Sequence, residues 1–238
     1  MADGDALTQE KSLAYDFFLL LECSVINSPS SVMASYPEKP GTAGRGRPRE
    51  FDPAVAIDAA AKVFWDQGYH ATSIEDLCDA TGLLRGSLYS AFGDKKGMLL
   101  AAIDQYAEKN LARLAESLSS SGPSREGLRT ALLYYTRTAT VLGSRQGCLV
   151  TNTALEMLPQ DPDIAERVER IFRQMASLLA AAVIRGQAAG AFRTNLDERS
   201  VGNFLLSVIE GLRVLGKIRT YGQKDLAPIV DLVLAALT

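Results

Sequence analysis

The sequence predicts an all-α protein, an N-terminal three-helix head of helix-turn-helix type followed by a C-terminal helical bundle. Two observations carry this. Residues 72–99, TSIEDLCDATGLLRGSLYSAFGDKKGML, read as a helix, a tight turn, a second helix and the start of a third. Residues 125–238 place apolar side chains at helical spacing, without the alternation that marks a half-buried strand. A chain of 238 residues accommodates a small head and one larger body. Its 47% hydrophobic and 22% charged residues are an ordinary soluble mixture.

Residues 1–44 read as a tail. Its apolar run, LAYDFFLLLECSVI at 13–26, is too short to cross a bilayer and carries Asp16 and Glu22. Asp3, Asp5 and Glu10 precede the run, where a secretory signal would carry basic residues. A short amphipathic helix fits it, and so does an over-early start with translation beginning at Met33. Residues 28–43, rich in Ser, Pro and Gly, are expected to be disordered. The arm that follows, GRGRPRE, contains Arg45-Gly46-Arg47-Pro48 and resembles the core of an AT-hook. Glycine lets such a backbone lie deep, proline holds it extended, and two guanidiniums enter a narrow, electronegative minor groove. The plainer alternative is a solubilising basic linker.

The first helix of the head is expected over residues 52–67, with Asp52 as cap, Pro53 in the first turn and Gly68 at the end. Ile57, Ala60, Ala61 and Phe64 form its inner face, and Trp65 reads as a packing residue at the domain edge. In the second helix Thr72 and Ser73 are candidate caps, with Glu75 or Asp76 at capping-box distance. Gly82 supplies the sharp turn. Leu83, Leu88 and Phe92 pack the third helix back onto the second, leaving Leu84, Arg85, Ser87, Tyr89 and Ser90 outward. One cation, hydroxyls and a tyrosine suit a groove of DNA. Asp94-Lys95-Lys96 opens a long helix expected to reach about residue 118. Lysines there oppose the helix macrodipole unless an anion, such as a DNA phosphate, sits at the helix start.

This stretch resembles the helix-turn-helix of TetR-type bacterial transcriptional regulators. The resemblance rests on GYHATSIEDLCDATGL followed by SLYSAFGDKKGML, with Gly68, Tyr69, Thr72, Ser73, Gly82, Leu88, Tyr89, Phe92 and Lys95 in the family positions. It implies that the tyrosine and lysine matching Tyr89 and Lys95 hold phosphates. The resulting DNA contacts are Arg85 and Ser87 on base edges; Thr72, Tyr89 and Lys95 at phosphates; Ser90 on the same outward surface; and Arg45 and Arg47 in the minor groove. Leu84 departs from the family pattern, which has a small polar residue there. Either the helix begins without a side-chain cap, at about 1 kcal/mol, or Leu84 touches a thymine methyl.

Residues 119–124, SSSGPS, read as a break between head helix and bundle. Helices are then expected over 125–142, with Leu128, Leu132, Tyr135 and Leu142 on one stripe; from Gly147-Cys148 to about 158; over 163–189; over 197–221; and over 225–238. The domains are therefore a tail (1–44), a DNA-binding head with its basic arm (45–98) and a bundle for ligand binding and dimerisation (99–238). The last two helices are apolar almost all round, which suggests a homodimer seam, and the resemblance implies the same one. Phe204, Val208, Leu212, Leu226, Val230 and Val233 represent it; the alternative is that they only complete the protomer's core. The resemblance also implies a small-molecule effector between the helices of 100–190. Tyr106, Leu132, Tyr135, Cys148, Thr151, Asn152, Met157, Phe172 and Met175 are its candidate contacts.

Composition excludes several other functions. A net charge of −3 and a pI near 5.3 argue against a histone-like coat but leave room for a local reading head. Cys23, Cys78 and Cys148 have no metal spacing and form no disulfide framework, as expected in a reducing cytoplasm. A single His70 removes most zinc sites and most triad chemistry, so neither metal nor cofactor is expected. Cys148 follows Gly147 at a helix start near Arg145, a setting that favours a thiolate and suggests an electrophile sensor; the alternative is a small buried hydrophobe. The leading expectation is a ligand-responsive repressor that binds a palindrome as a dimer. An AT-rich DNA architectural protein and a thiol peroxidase using Cys148 are the other readings.

Overall fold

The computed structural model describes residues 51–120, 125–141 and 146–238. The tail, the arm with Arg45 and Arg47, Leu142 and Arg145 lie outside them. Among the described residues all regular structure is helical: α1 Pro53–Gln67, α2 Ile74–Thr81, α3 Arg85–Phe92, α4 Lys95–Ser120, α5 Arg125–Thr140, α6 Leu149–Met157, α7 Pro162–Ala188, α8 Glu198–Lys217 and α9 Gln223–Leu237.

The head forms because three short helices share one apolar centre. Ala60 and Phe64 of α1, Leu77 of α2 and Leu88 of α3 are buried with Met98 and Leu99 of α4. Ser73 is the cap of α2, with its hydroxyl accepting from Asp76 N–H and Asp76 accepting from Ser73 N–H. That reciprocal pair satisfies two amides that the helix itself leaves free. Gly82 closes α2 at φ +69, a backbone conformation that costs glycine nothing.

The long α4 belongs to both parts of the molecule. Met98 and Leu99 face the head, while Leu114 and Leu118 lie in the bundle core. Asp58 of α1 accepts from Lys109 Nζ at 2.7 Å, and Asp104 accepts from Arg167 and Arg170 of α7. In the bundle α8 is nearly in backbone contact with its neighbours. A Cβ at Gly202 would stand 2.5 Å from Ala176 O, and one at Gly216 would stand 2.4 Å from Ala139 Cβ. Close helix approach at those points therefore depends on the absence of a side chain.

Two sequence expectations need correction. Helix α8 stops at Lys217 rather than at 221, because Ile218 turns to extended backbone and the chain closes two tight turns before Gly222. The expected seam residues also divide. Leu212, Leu226, Val230 and Val233 are buried within their own protomer, so they complete its core rather than face a partner. Phe204 remains 43% exposed and Val208 half-buried.

Candidate nucleic-acid interface

The turn between α2 and α3 is held tightly. Gly82 N–H donates to Cys78 O at 2.9 Å, and Leu83 N–H donates to the Thr81 hydroxyl at 3.2 Å. Leu88 then points inward, and Leu84, Arg85, Gly86, Ser87, Tyr89 and Ser90 are all exposed. The outward set read from the sequence is thus exposed on the surface of α3. Arg85 is not free on it, since its Nη2 donates to Glu75 Oε1 of α2 at 2.9 Å. Both groups are solvent-exposed, so the pair orients the guanidinium more than it stabilises the fold.

Thr72 needs correction as a direct contact, and Lys95 is already engaged within the head. Thr72 is only 1% exposed, and its hydroxyl donates to Gly68 O at 2.6 Å. Lys95 turns inward: Nζ donates to Tyr69 O and to Thr72 O, both at 2.8 Å, and lies 4.3 Å from the centre of the Tyr69 ring. Two carbonyls and a ring face thus answer a cation that the α4 dipole disfavours, the role that the sequence reading had given to a phosphate. Lys96 is also engaged, pairing with Asp161 at 2.8 Å and Asp163 at 2.6 Å at the start of α7.

The head is tied to the bundle by a carboxylate. Glu156 of α6 accepts from Tyr69 N–H at 2.8 Å and from His70 N–H at 2.7 Å. Gly68, at φ +83, allows this approach, since a Cβ there would lie 2.8 Å from Glu156 Oε2. Gln146 also reaches Asp66 of α1.

The effector candidates fall into separate groups. Leu132 and Met175 are buried core, and Phe172 packs half-buried against it. Asn152 faces the start of α6, accepting from Lys217 Nζ and donating to Gln146 O. Tyr106, Tyr135 and Cys148 gather around Arg213, a residue the sequence reading missed. Arg213 donates to Glu210 at 2.7 Å and lies 4.6 Å from the Tyr135 ring centre, and Glu210 accepts from the Thr151 hydroxyl at 2.6 Å. Burial opposes the charge of Arg213, yet Cys148, Tyr106, Glu210 and Tyr135 around it hold its pKa up. Burial also pushes the Tyr106 hydroxyl well up, with Cys148 adding to the effect, and pushes Tyr135 up to about 12. Cys148 itself is buried as the cap residue of α6. Arg213 stands near it, and Arg145, the cation that the sequence suggests, lies outside the described residues. The signal available in the sequence was Glu210 and Arg213 three apart on an otherwise apolar helix. Beside this cluster Trp65 packs edge-on against Tyr106, and its buried Nε1 has no partner among the described residues.

Among the described residues, no group of three His, Cys, Asp or Glu is placed to hold a metal, and no helix is long and apolar enough to cross a membrane. A helix-turn-helix head presenting α3, carried on a helical body, defines a DNA-binding regulatory protein. Comparison with known proteins gives its family. Residues 56–102 match bacterial regulatory proteins of the tetR family, and residues 124–224 match the tetracyclin repressor-like C-terminal domain. The HTH-type transcriptional repressor ComR of Escherichia coli is 31% identical over 173 residues, spanning 71% of this chain and 81% of its own. A cysteine mutant of the TetR family regulator CifR, solved with 26-bp operator DNA, is 29% identical with a TM-score of 0.72, over 81% of this chain and all of its own. FadR of Bacillus subtilis in complex with stearoyl-CoA shares the fold at 20% identity and a TM-score of 0.62, over 76% of this chain and 94% of its own. The chain belongs to the TetR family of DNA-binding transcriptional regulators.

Proposed function

We propose that this chain acts as a homodimeric repressor of a palindromic operator and is released from it by a small-molecule effector. The observation that carries the reading is the uncovered face of α8. Phe204 and Val214 are exposed and Val208 half-exposed along that helix, Ile218 just past its end is exposed too, and Leu232 of α9 is 71% exposed. At Gly211, midway along the same stripe, nothing lies within 4 Å of a Cβ position. A stripe of this length is costly in water and fits its own copy across a two-fold axis. Two heads so paired would read half-sites about one DNA turn apart, roughly 34–36 Å. The likeness to the DNA-bound CifR mutant supports the operator half of the reading.

In each head Arg85 and Ser87 meet base edges, and Tyr89 and Ser90 lie at the backbone. In the body the effector is received near Tyr106, Tyr135 and Cys148, where Arg213 and Glu210 supply polar recognition. The coupling between effector and DNA is then on the order of 1–3 kcal/mol. Selection of bound duplexes from random DNA by the purified chain, with light scattering of the free protein, tests the reading. A dimer that enriches an inverted repeat supports it. A monomer that enriches no sequence overturns it.

A further inference from the structure

We propose that Leu84 reads the operator directly, packing its side chain on the 5-methyl group of a thymine in the major groove. The inference rests on the DNA-binding reading above and deepens it. Leu84 is the cap residue of α3, in extended backbone at φ −68 and ψ 147, and it gives the helix no side-chain hydrogen bond. A hydroxyl or carboxamide there would satisfy a free helix amide, so the fold does not call for leucine at this position. Leu84 is 79% exposed, and little among the described residues covers it.

A lone exposed leucine ordinarily needs no explanation. Three features set this one apart. The first is its place, because the N-terminal residues of the second helix in a helix-turn-helix are the ones that meet base edges. The second is its company: Arg85, Ser87, Tyr89 and Ser90 share the surface, and no other exposed aliphatic side chain on α3 extends Leu84 into an apolar patch suited to a protein partner. The third is Gly86. Nothing lies within 4 Å of a Cβ position there, so the bare spot faces outward. Glycine inside an eight-residue helix weakens it, and packing does not demand it here. An outward bare spot so near the helix start lets the backbone there approach the duplex closely.

The major groove offers one apolar group, the thymine methyl, amid hydrogen-bond donors and acceptors. A leucine against any other base edge strips water from polar atoms without replacing it. The contact therefore both attracts thymine and rejects the alternatives.

The test uses the full chain and a duplex selected by it from random DNA. Each thymine is replaced singly by deoxyuridine, which removes the methyl group and leaves O4 and the base pairing intact. Affinity is expected to fall about fourfold at one thymine in each half-site, the worth of one buried methyl group. In Leu84→Ser, a substitution that adds a helix cap, thymine and uracil should bind equally at that position while the salt dependence is unchanged. Tolerance of uracil at every position by the native protein overturns the inference. So does a Leu84→Ser protein that keeps the native thymine preference. Failure of the native chain to enrich any sequence removes the DNA reading itself, whereas selective binding that is indifferent to uracil removes only the role of Leu84.

Discussion

Arg85 and Lys95 are both cations of the head, yet their surroundings give them different work. Arg85 is exposed and steadied by Glu75, so it keeps donors for a base edge. Arg85→Ala is expected to alter which sequences are enriched and to leave the melting temperature within about 1 °C, since exposed ion pairs contribute little. Lys95 spends its ammonium on two carbonyls. Hydrogen bonds to charged groups are worth about 1.5–3 kcal/mol each way of counting, so Lys95→Ala should cost roughly 2 kcal/mol and lower Tm by about 4–8 °C. The sequence alone suggested instead a uniform loss of DNA affinity and a flatter salt slope. Carboxylates give the pH dependence. Asp76 is held low by Ser73 N–H, Asp161 by Lys96, Asp197 by Ser200 N–H and Asp231 by Arg129. Each depressed pKa favours the ionised form in the folded state, so its stabilisation is present above the ordinary carboxylate value and lost as pH falls through the folded one. Thermal unfolding should accordingly be flat from about pH 7 to 5 and fall off below about pH 4.

Helix α6 shows what an element can do with few residues. Its last turn holds the head through Glu156, and its first turn reaches the buried charges through Thr151 and Cys148. Glu156→Ala leaves two amides without their acceptor at the turn after α1. Hydrogen exchange at Tyr69 and His70 should accelerate at least tenfold, with about 2 kcal/mol of stability lost. Unchanged protection of those amides would show that the carboxylate does not hold the turn. Among the helices themselves, α1 to α4 were legible because caps and turn glycines stand at fixed offsets in the sequence. The end of α8 was not legible, because the apolar pattern runs on through Ile218 while the backbone has already turned.

For the whole molecule the decisive surface is the one left uncovered. Phe204 and Leu232 remain outside the core, whereas Leu212, Leu226, Val230 and Val233 are inside it. Phe204→Glu is expected to shift the protein from dimer to monomer in light scattering and weaken binding to an inverted repeat far more than binding to a single half-site. A variant still wholly dimeric would place the seam elsewhere.

The sequence by itself determined the helical class, the order of helices, the capping and turning of the head and the outward set on α3. These follow from periodicity and from single-residue backbone preferences, which act over a few positions. Tertiary structure alone decided which side of α8 and α9 is covered, that Lys95 answers carbonyls, that Glu156 meets the turn after α1, and that Arg213 stands among Tyr106, Tyr135 and Cys148. Such contacts join residues tens of positions apart, and a helix apolar on most sides carries no mark of which neighbour will bury each side.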